Sequence, residues 1–123
     1  MDRRSVRGRH AESLAAARLE AAGLRILTRN WRQAEGELDI VADDDGTCVF
    51  VEVRSRTGDE HGHALEAITA HRRQRVIRAA RLYLGAETPA ARGYRFDVVA
   101  VTFWDDGRDP DVVHIPNAFE VGG

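Results

Sequence analysis

The sequence contains no lysine, a single cysteine, three prolines and no long hydrophobic run. With Cys48 as its one thiol, the chain cannot form an internal disulfide, and a cysteine in a strand is more often a small buried residue than a reactive one. No run of about 18 apolar residues is present to span a membrane, and no apolar stretch follows the N-terminal arginines as in a signal peptide. We therefore expect a cytoplasmic protein without a membrane partner.

The length favours one domain. A chain of 123 residues can bury one sizeable hydrophobic core, and a second core is not expected. We predict a single domain over residues 1–123, in which residues 1–8 form a flexible basic arm and residues 117–123 form a tail.

Because lysine is absent, all 18 basic residues are arginine, and they are unevenly distributed along the chain. The net charge is +4 over residues 1–36, −7 over 37–66, +6 over 67–96 and −5 over 97–123, although the total is only −2. If the two basic blocks meet around the acidic hairpin, the surface has a positive rim for a polyanion and a negative centre for a cation. The alternative is that the arginines only solvate helix faces.

A strong hairpin signal lies near the middle of the chain. Two strand-like runs, residues 38–41 and 49–53, flank Asp45-Gly46. A two-residue type I′ turn needs positive φ at both central positions, which Asp tolerates and Gly adopts freely. The sequence therefore predicts a tight hairpin with a defined register.

Counting outward from that turn pairs Asp39 with Glu52, and Glu37 with Arg54, on one face of the hairpin. Directly opposed residues have Cβ atoms about 4.5–5.5 Å apart, and like charges there are destabilising. A bound cation or a raised pKa on one acid would relieve the repulsion between Asp39 and Glu52, so the pair is a candidate functional site. The alternative is that Asp39 lies at a frayed strand end and both carboxylates are solvated.

Two amphipathic helices are predicted. The first covers residues 9–22 and carries Glu12 at the edge of its buried stripe. Glu12 either points along the edge of the buried stripe rather than straight out to solvent, or is an ordinary first-turn acid that complements the helix dipole. The second helix runs from its N-cap Thr69 to about Leu84, where Gly85 ends it.

The second helix carries a run of arginines on the face that is not apolar, with no acid between Glu66 and Glu87. A merely solvated helix usually mixes charges of both signs, because like charges at helical spacing repel one another. The pattern therefore favours phosphate contact over a plain solvated face. The candidate nucleic-acid-binding residues are Arg72, Arg75, Arg78 and Arg73.

Further strands are predicted over residues 24–31, 94–104 and 112–115. Residues 98–101 are apolar on both faces, as in a central strand covered on both sides. Gly36, just before the hairpin, indicates a bend or a close backbone approach. The order α-β-β-β-α-β-β predicts an α/β domain with a mixed central sheet flanked by helices.

Two other polar features receive structural interpretations. Residues 55–63 read as an exposed loop, and we interpret His61 and His63 there as solvated rather than as metal ligands, because they lack cysteine partners and helical spacing. Asp97 lies on a strand that is otherwise apolar, and we interpret it as a structural acid paired with an arginine such as Arg95.

The order of helix, strand, hairpin with Asp and then Glu-x-basic, helix and strand resembles the PD-(D/E)xK nuclease superfamily, with its restriction-endonuclease-like core. Within that superfamily the chain is most similar to the small YraN-like family, which is itself similar to archaeal Holliday junction resolvases. The similarity covers nearly the whole chain, through residues 8–15, 29–30, 36–39, 49–56, 79–84, 95–99 and 115–119.

The resemblance implies a metal-dependent endonuclease that acts on DNA, including branched or structured DNA, with Mg²⁺ or Mn²⁺ as its cofactor. It implies Asp39 and Glu52 as the catalytic, metal-binding carboxylates, with Glu12 as the further acid on the first helix. It puts Arg54 at the position of the superfamily lysine. Resolvase-like domains commonly dock in pairs, so the resemblance also implies a homodimer.

The sequence departs from the superfamily pattern at two positions. Leu38 stands where the superfamily has proline, a position that mainly shapes the backbone, and Arg54 replaces the lysine. A guanidinium with a pKa above about 12 cannot serve as a base, although it can orient water and stabilise developing charge. The alternatives to an endonuclease are therefore a nucleic-acid-binding module with weak or no catalysis and an assembly partner in DNA processing. A salt bridge from Glu37 would give Arg54 a purely structural role.

Overall fold

The structure is a computed structural model that describes residues 3–58 and 68–121. Within these ranges two helices and five strands follow the order α-β-β-β-α-β-β that the sequence predicts, which is the order of a restriction-endonuclease-like core. The elements are α1 (Arg3–Ala21), β1 (Arg25–Gln33), β2 (Gly36–Asp44), β3 (Thr47–Thr57), α2 (Ala70–Glu87), β4 (Gly93–Phe103) and β5 (Asp111–Phe119).

The strands form one mixed sheet in the order β1-β2-β3-β4-β5. Neighbouring strands are antiparallel except β3 and β4, which run parallel. A parallel pair needs a long crossover connection, and the segment that contains α2 provides it. The predicted mixed sheet is therefore confirmed.

Each face of the sheet packs against one helix. On one face α1 covers a core that includes Leu19, Ile40, Val49, Val51, Val99 and Val101. On the other face α2 covers a core that includes Leu38, Val41, Phe50, Val76, Ile77 and Tyr83. Because the central strands are buried on both sides, residues 98–101 are apolar on both faces, as the sequence indicates.

The β2–β3 hairpin has the predicted turn. Asp45 has φ 49° and Gly46 has φ 94°, so both central residues are in the left-handed region that a type I′ turn requires. The register matches the prediction from Asp44–Thr47 as far as Ile40–Val51, where the recorded ladder ends. Asp39 and Glu52 are the next residues on each strand.

The predicted cross-strand pairing of Glu37 with Arg54 lies beyond the end of the β2–β3 ladder. Glu37 lies opposite Arg32 on β1, and the Arg32 Nε atom is 3.2 Å from Glu37 Oε2. Pairing with β3 stops at Ile40, whereas pairing with β1 continues to Gly36, so Glu37 belongs to the β1 side.

The N-terminal arm predicted over residues 1–8 is also wrong, because α1 already begins at Arg3. Contacts with the sheet anchor these early turns. The Arg7 guanidinium lies 4.8 Å from the centre of the Phe103 ring and also donates to Thr57 Oγ1, and the His10 ring centre is 5.4 Å from that of Phe103. Such tertiary contacts are not visible in the periodicity of the sequence.

The second helix starts where predicted but ends later. Thr69 caps its N-terminus, and the Thr69 Oγ1 atom accepts a 3.1 Å hydrogen bond from the Arg72 N–H. The helix continues through Gly85 to Glu87, and Thr88 supplies the left-handed cap with φ 39°. Gly85 is therefore a helical residue and not the helix stop.

The last strand is longer than predicted, so residues 117–119 belong to the sheet and not to a tail. The Asn117 N–H donates to Asp97 Oδ1 at 2.9 Å, and the Phe119 ring stacks on Phe96 with ring centres 5.0 Å apart. These contacts fix the C-terminal end of β5.

Part of the predicted loop over residues 55–63 is strand, because β3 extends to Thr57. Residues 59–67, which include His61 and His63, lie outside the described residues. Neither of the helices in the described ranges is long and apolar enough to cross a membrane.

Candidate active site

Asp39 and Glu52 form a pair of acids in contact with one another, in which Glu52 is buried and Asp39 is half-buried. Glu52 is only 5% exposed, and its carboxyl group hydrogen-bonds to that of Asp39. The Val53 N–H donates to Asp39 Oδ2 at 2.8 Å and so holds the Asp39 side chain against β3. The alternative of a frayed strand end with two solvated carboxylates is therefore wrong.

Burial shifts the protonation of both acids. Burial, reinforced by the negative charge of Asp39, raises the pKa of Glu52 from 4.5 to about 7. Burial also raises the pKa of Asp39, although the hydrogen bonds from Val53 and Glu52 oppose the shift. In the absence of a cation, burial therefore favours the protonated form of the pair.

Arg72 compensates part of this negative charge. Its Nε atom donates to Glu52 Oε1, and its charge lowers the pKa of both Glu52 and Asp39. The Thr69 cap fixes the first turn of α2 and so brings Arg72 over the acid pair. Arg72, predicted as a phosphate ligand, is thus engaged with a carboxylate in this structure.

Glu12 of α1 approaches the same site from the other helix. It is 8% exposed, and burial followed by the charge of Asp39 raises its pKa, whereas Arg29 and Asn30 lower it. Because α1 begins at Arg3, Glu12 is not in the first turn, and the helix-dipole interpretation is wrong. Glu12 points inward, toward Asp39.

The acid pair fits a hard divalent cation. Within residues 3–58 and 68–121, no three Asp, Glu, His or Cys side chains lie close enough together to hold one ion, so Glu12 stands outside a ligand cluster. Magnesium commonly binds proteins through one or two carboxylates and keeps several waters, which two adjacent carboxylates can satisfy. Loss of a proton from the pair would free Asp39 and Glu52 for that role.

Arginines surround the acids. A cavity of about 770 Å³ contains Asp39, Glu12 and Glu37 together with the arginines Arg7, Arg9, Arg32, Arg54 and Arg72. A smaller adjacent cavity of about 160 Å³ is lined by Asp39 and Glu52 and by Arg72, Arg75 and Arg78. The arrangement agrees with the predicted positive rim around a negative centre.

The predicted phosphate-binding arginines occupy different environments. Arg75 and Arg78 are exposed beside the smaller cavity. Arg73 lines neither of these two cavities, and its Nη1 atom donates to the Ile68 carbonyl at 3.3 Å. Arg54, which follows Glu52 by two residues on β3, lines the larger cavity.

The larger cavity also contains residues that the sequence does not predict as site residues, among them Arg7, Arg9, Asn30 and Arg32. The sequence predicts Arg7 in the flexible arm, Arg9 at the start of the first helix, and Asn30 and Arg32 in a strand and a connector. The register of β1 on β2 was the missing information, because the turn between them at residues 34–35 gives no strong signal. Knowing that Asn30 lies opposite Asp39 would have identified Asn30 as a site residue.

Asp97 belongs to a separate cluster, and its structural interpretation is confirmed. It is fully buried and accepts hydrogen bonds from Arg95 Nε at 3.0 Å and from the Asn117 N–H at 2.9 Å, and His114 Nε2 lies 2.8 Å from its Oδ2 atom. Arg95 also bonds to Asp44 Oδ2 at 2.7 Å. These contacts tie β5 to β4 and β2.

Comparison with known proteins identifies the family. The family model described as "Uncharacterised protein family UPF0102" matches residues 11–101. A UPF0102 protein of Pseudomonas aeruginosa (strain LESB58) is 49% identical over 122 residues, which cover 97% of this chain and 98% of that protein. A UPF0102 protein of Pelotomaculum thermopropionicum is 45% identical over 118 residues, with 96% and 98% coverage. The chain therefore belongs to the UPF0102 family, which is the YraN-like family that its sequence resembles.

Proposed function

We propose that this protein is a metal-dependent phosphodiester hydrolase, an endonuclease acting on DNA and in particular on branched or structured DNA. The observation that carries the proposal is the contact between the buried carboxyl group of Glu52 and the half-buried carboxyl group of Asp39, in cavities lined by arginines. Buried acids in contact are unfavourable without a function that uses them, and phosphate chemistry needs both a cation and positive charge.

Asp39 and Glu52 would hold Mg²⁺ or Mn²⁺, and the bound cation would supply an activated water and neutralise phosphate charge. The Val53 N–H keeps Asp39 oriented toward Glu52. Glu12 Oε1 is buried and has no hydrogen-bond partner among the described residues, so it is an acceptor for water at the edge of the site. Neither the Arg54 nor the Arg72 guanidinium can act as a base. Their role is to stabilise the negative charge that develops on the phosphate.

The DNA backbone would follow the arginines on both sides of the acids. Arg75 and Arg78 are exposed on α2, and Arg9 and Arg32 border the larger cavity on the opposite side. Phosphate contacts supply affinity without sequence information, so recognition would depend on DNA shape. A cytoplasmic location, as the sequence predicts, gives access to such substrates.

Cleavage assays on linear, flapped and four-way DNA with Mg²⁺ or Mn²⁺ test this proposal. Asp39→Asn and Glu52→Gln keep the side-chain shapes and remove the charge, and the exposed acid Glu20 provides the control Glu20→Gln. We expect both site variants to lose more than about 100-fold in rate, while the control cuts like the wild type. The hydrolase proposal fails if the wild type binds DNA as the variants do but cuts none of these substrates with either metal.

A second candidate is a nucleic-acid-binding module that keeps the nuclease fold without hydrolysis. The engagement of Arg72 with Glu52, together with arginine at the lysine position, favours it. This candidate predicts salt-sensitive binding to DNA without cleavage. If binding is also absent, the remaining candidate is an assembly partner that docks as a homodimer, which sedimentation of the full chain would detect.

A further inference from the structure

Asn30 has an unusual backbone conformation in the middle of β1. Its φ is 55°, in the left-handed region, which costs most residues energy and which asparagine tolerates better than others. Its neighbours remain in register, with Arg29 opposite Ile40 and Trp31 opposite Leu38. The strain therefore lies in the interior of β1, between residues that pair with β2, rather than at a strand end, and such strain concentrates at functional sites.

The register puts Asn30 beside the acid pair. The two flanking pairs share one register, so Asn30 lies opposite Asp39 across β1 and β2. Asn30 also lines the larger cavity together with Asp39 and Glu12. Asp39 thus has Asn30 on the neighbouring strand to one side and Glu52 on the neighbouring strand to the other.

Asn30 and Glu12 line the same cavity. Hydrogen bonding from the Asn30 side chain opposes the rise that burial causes in the pKa of Glu12. Arg29 forms an ion pair with the same carboxylate, since its Nε atom is 3.6 Å from Glu12 Oε1, and its Nη2 atom donates to Ser13 Oγ at 3.2 Å. Unlike the Arg29 guanidinium, the neutral Asn30 amide can orient the carboxylate without adding a positive charge beside it.

We infer that Asn30 is a positioning residue that holds the Glu12 carboxylate beside Asp39, and that its left-handed backbone turns the carboxamide toward Glu12. The inference rests on the proposed function, because it gives Asn30 a role at the cation site. A purely structural role would limit Asn30 to tolerating the strained backbone, and glycine would perform that role equally well.

Calorimetric titration with Mn²⁺ separates the two roles. Asn30→Gly keeps the positive φ and removes the carboxamide, and Glu12→Gln removes the charge that Asn30 would position. We expect Asn30→Gly to weaken Mn²⁺ binding about 10-fold in the wild type and to have no further effect in the Glu12→Gln background. Thermal unfolding of each variant checks that the fold is retained.

An unchanged Mn²⁺ affinity in Asn30→Gly overturns the inference, and so does an equal loss in both backgrounds. If the wild type binds no Mn²⁺, the proposed function itself fails and the inference fails with it. A measurement on folded protein without changing Asn30 gives an independent test. The NMR signal of the Asn30 side-chain amide should shift in Glu12→Gln and stay in place in Glu20→Gln, and an unmoved signal in Glu12→Gln contradicts the contact.

Discussion

Glu52 lies in an environment unlike that of an ordinary glutamate. Its carboxyl group lies between the carboxyl group of Asp39 and the guanidinium of Arg72, and almost no solvent reaches it. One partner raises its pKa and the other lowers it, while burial dominates. The Glu52 carboxyl group can therefore lose its proton when a cation binds to it.

The raised pKa predicts how the stability of the metal-free protein depends on pH. The folded state holds a proton on Glu52 up to about pH 7, whereas the unfolded chain releases it near 4.5, so this stabilisation is complete below 4.5 and is lost as the pH rises through about 7. Glu52→Gln removes the dependence. We expect its free energy of unfolding, relative to the wild type, to increase by on the order of 2 kcal/mol from pH 5 to pH 8.

Urea unfolding with a chelator present measures this difference, and Glu20→Gln is the matched control on an exposed glutamate. The control should follow the wild type at each pH. A constant difference between Glu52→Gln and the wild type would contradict the raised pKa of Glu52.

At the scale of elements, the close approach of β2 to α2 shapes the mouth of the smaller cavity. A Cβ atom at Gly36 would lie 3.0 Å from Ala79 Cβ and 3.2 Å from Ala79 Cα, so the predicted close backbone approach is confirmed. Because Gly36 has no side chain, the start of β2 can pack directly against α2, the helix that carries Arg75 and Arg78.

Two glycine substitutions test this packing in opposite directions. Gly36→Ala should lower the free energy of unfolding by about 1–3 kcal/mol, because the helix has to move away from the strand. Gly85→Ala should raise it by about 0.5–1 kcal/mol, because this helical glycine has open space around it. Chemical denaturation of both variants measures the two free energies of unfolding. Equal changes for the two substitutions would rule out the close contact between Gly36 and Ala79.

Across the whole molecule, the charge distribution predicts salt-dependent DNA binding. Each phosphate contact that is lost should reduce the slope of log affinity against log salt by about 0.9. Arg75→Gln and Arg78→Gln should each change the slope in this way. Arg108→Gln is the control, because Arg108 lies between β4 and β5 and is paired with Asp106 there. Slopes that match the wild type in both α2 variants would exclude α2 from the DNA contact.

The sequence was sufficient to predict the order of elements and the hairpin register, because a two-residue turn ties the residues on either side to fixed partners. The contact between Asp39 and Glu52 followed from that register alone. The Arg72–Glu52 ion pair did not, because it depends on how α2 is placed over the sheet. Asn30 was missed for a related reason, since no local signal sets the register of β1 against β2.

Direct binding of Mn²⁺ to the full chain is the measurement that tests the central claim, that Asp39 and Glu52 form a cation site. Calorimetry at neutral or mildly alkaline pH should detect one saturable site in the wild type and in Glu20→Gln. It should detect none in Asp39→Asn or Glu52→Gln, with all four proteins folded. Binding that persists in both site variants, or a wild type that binds no Mn²⁺, would contradict the account.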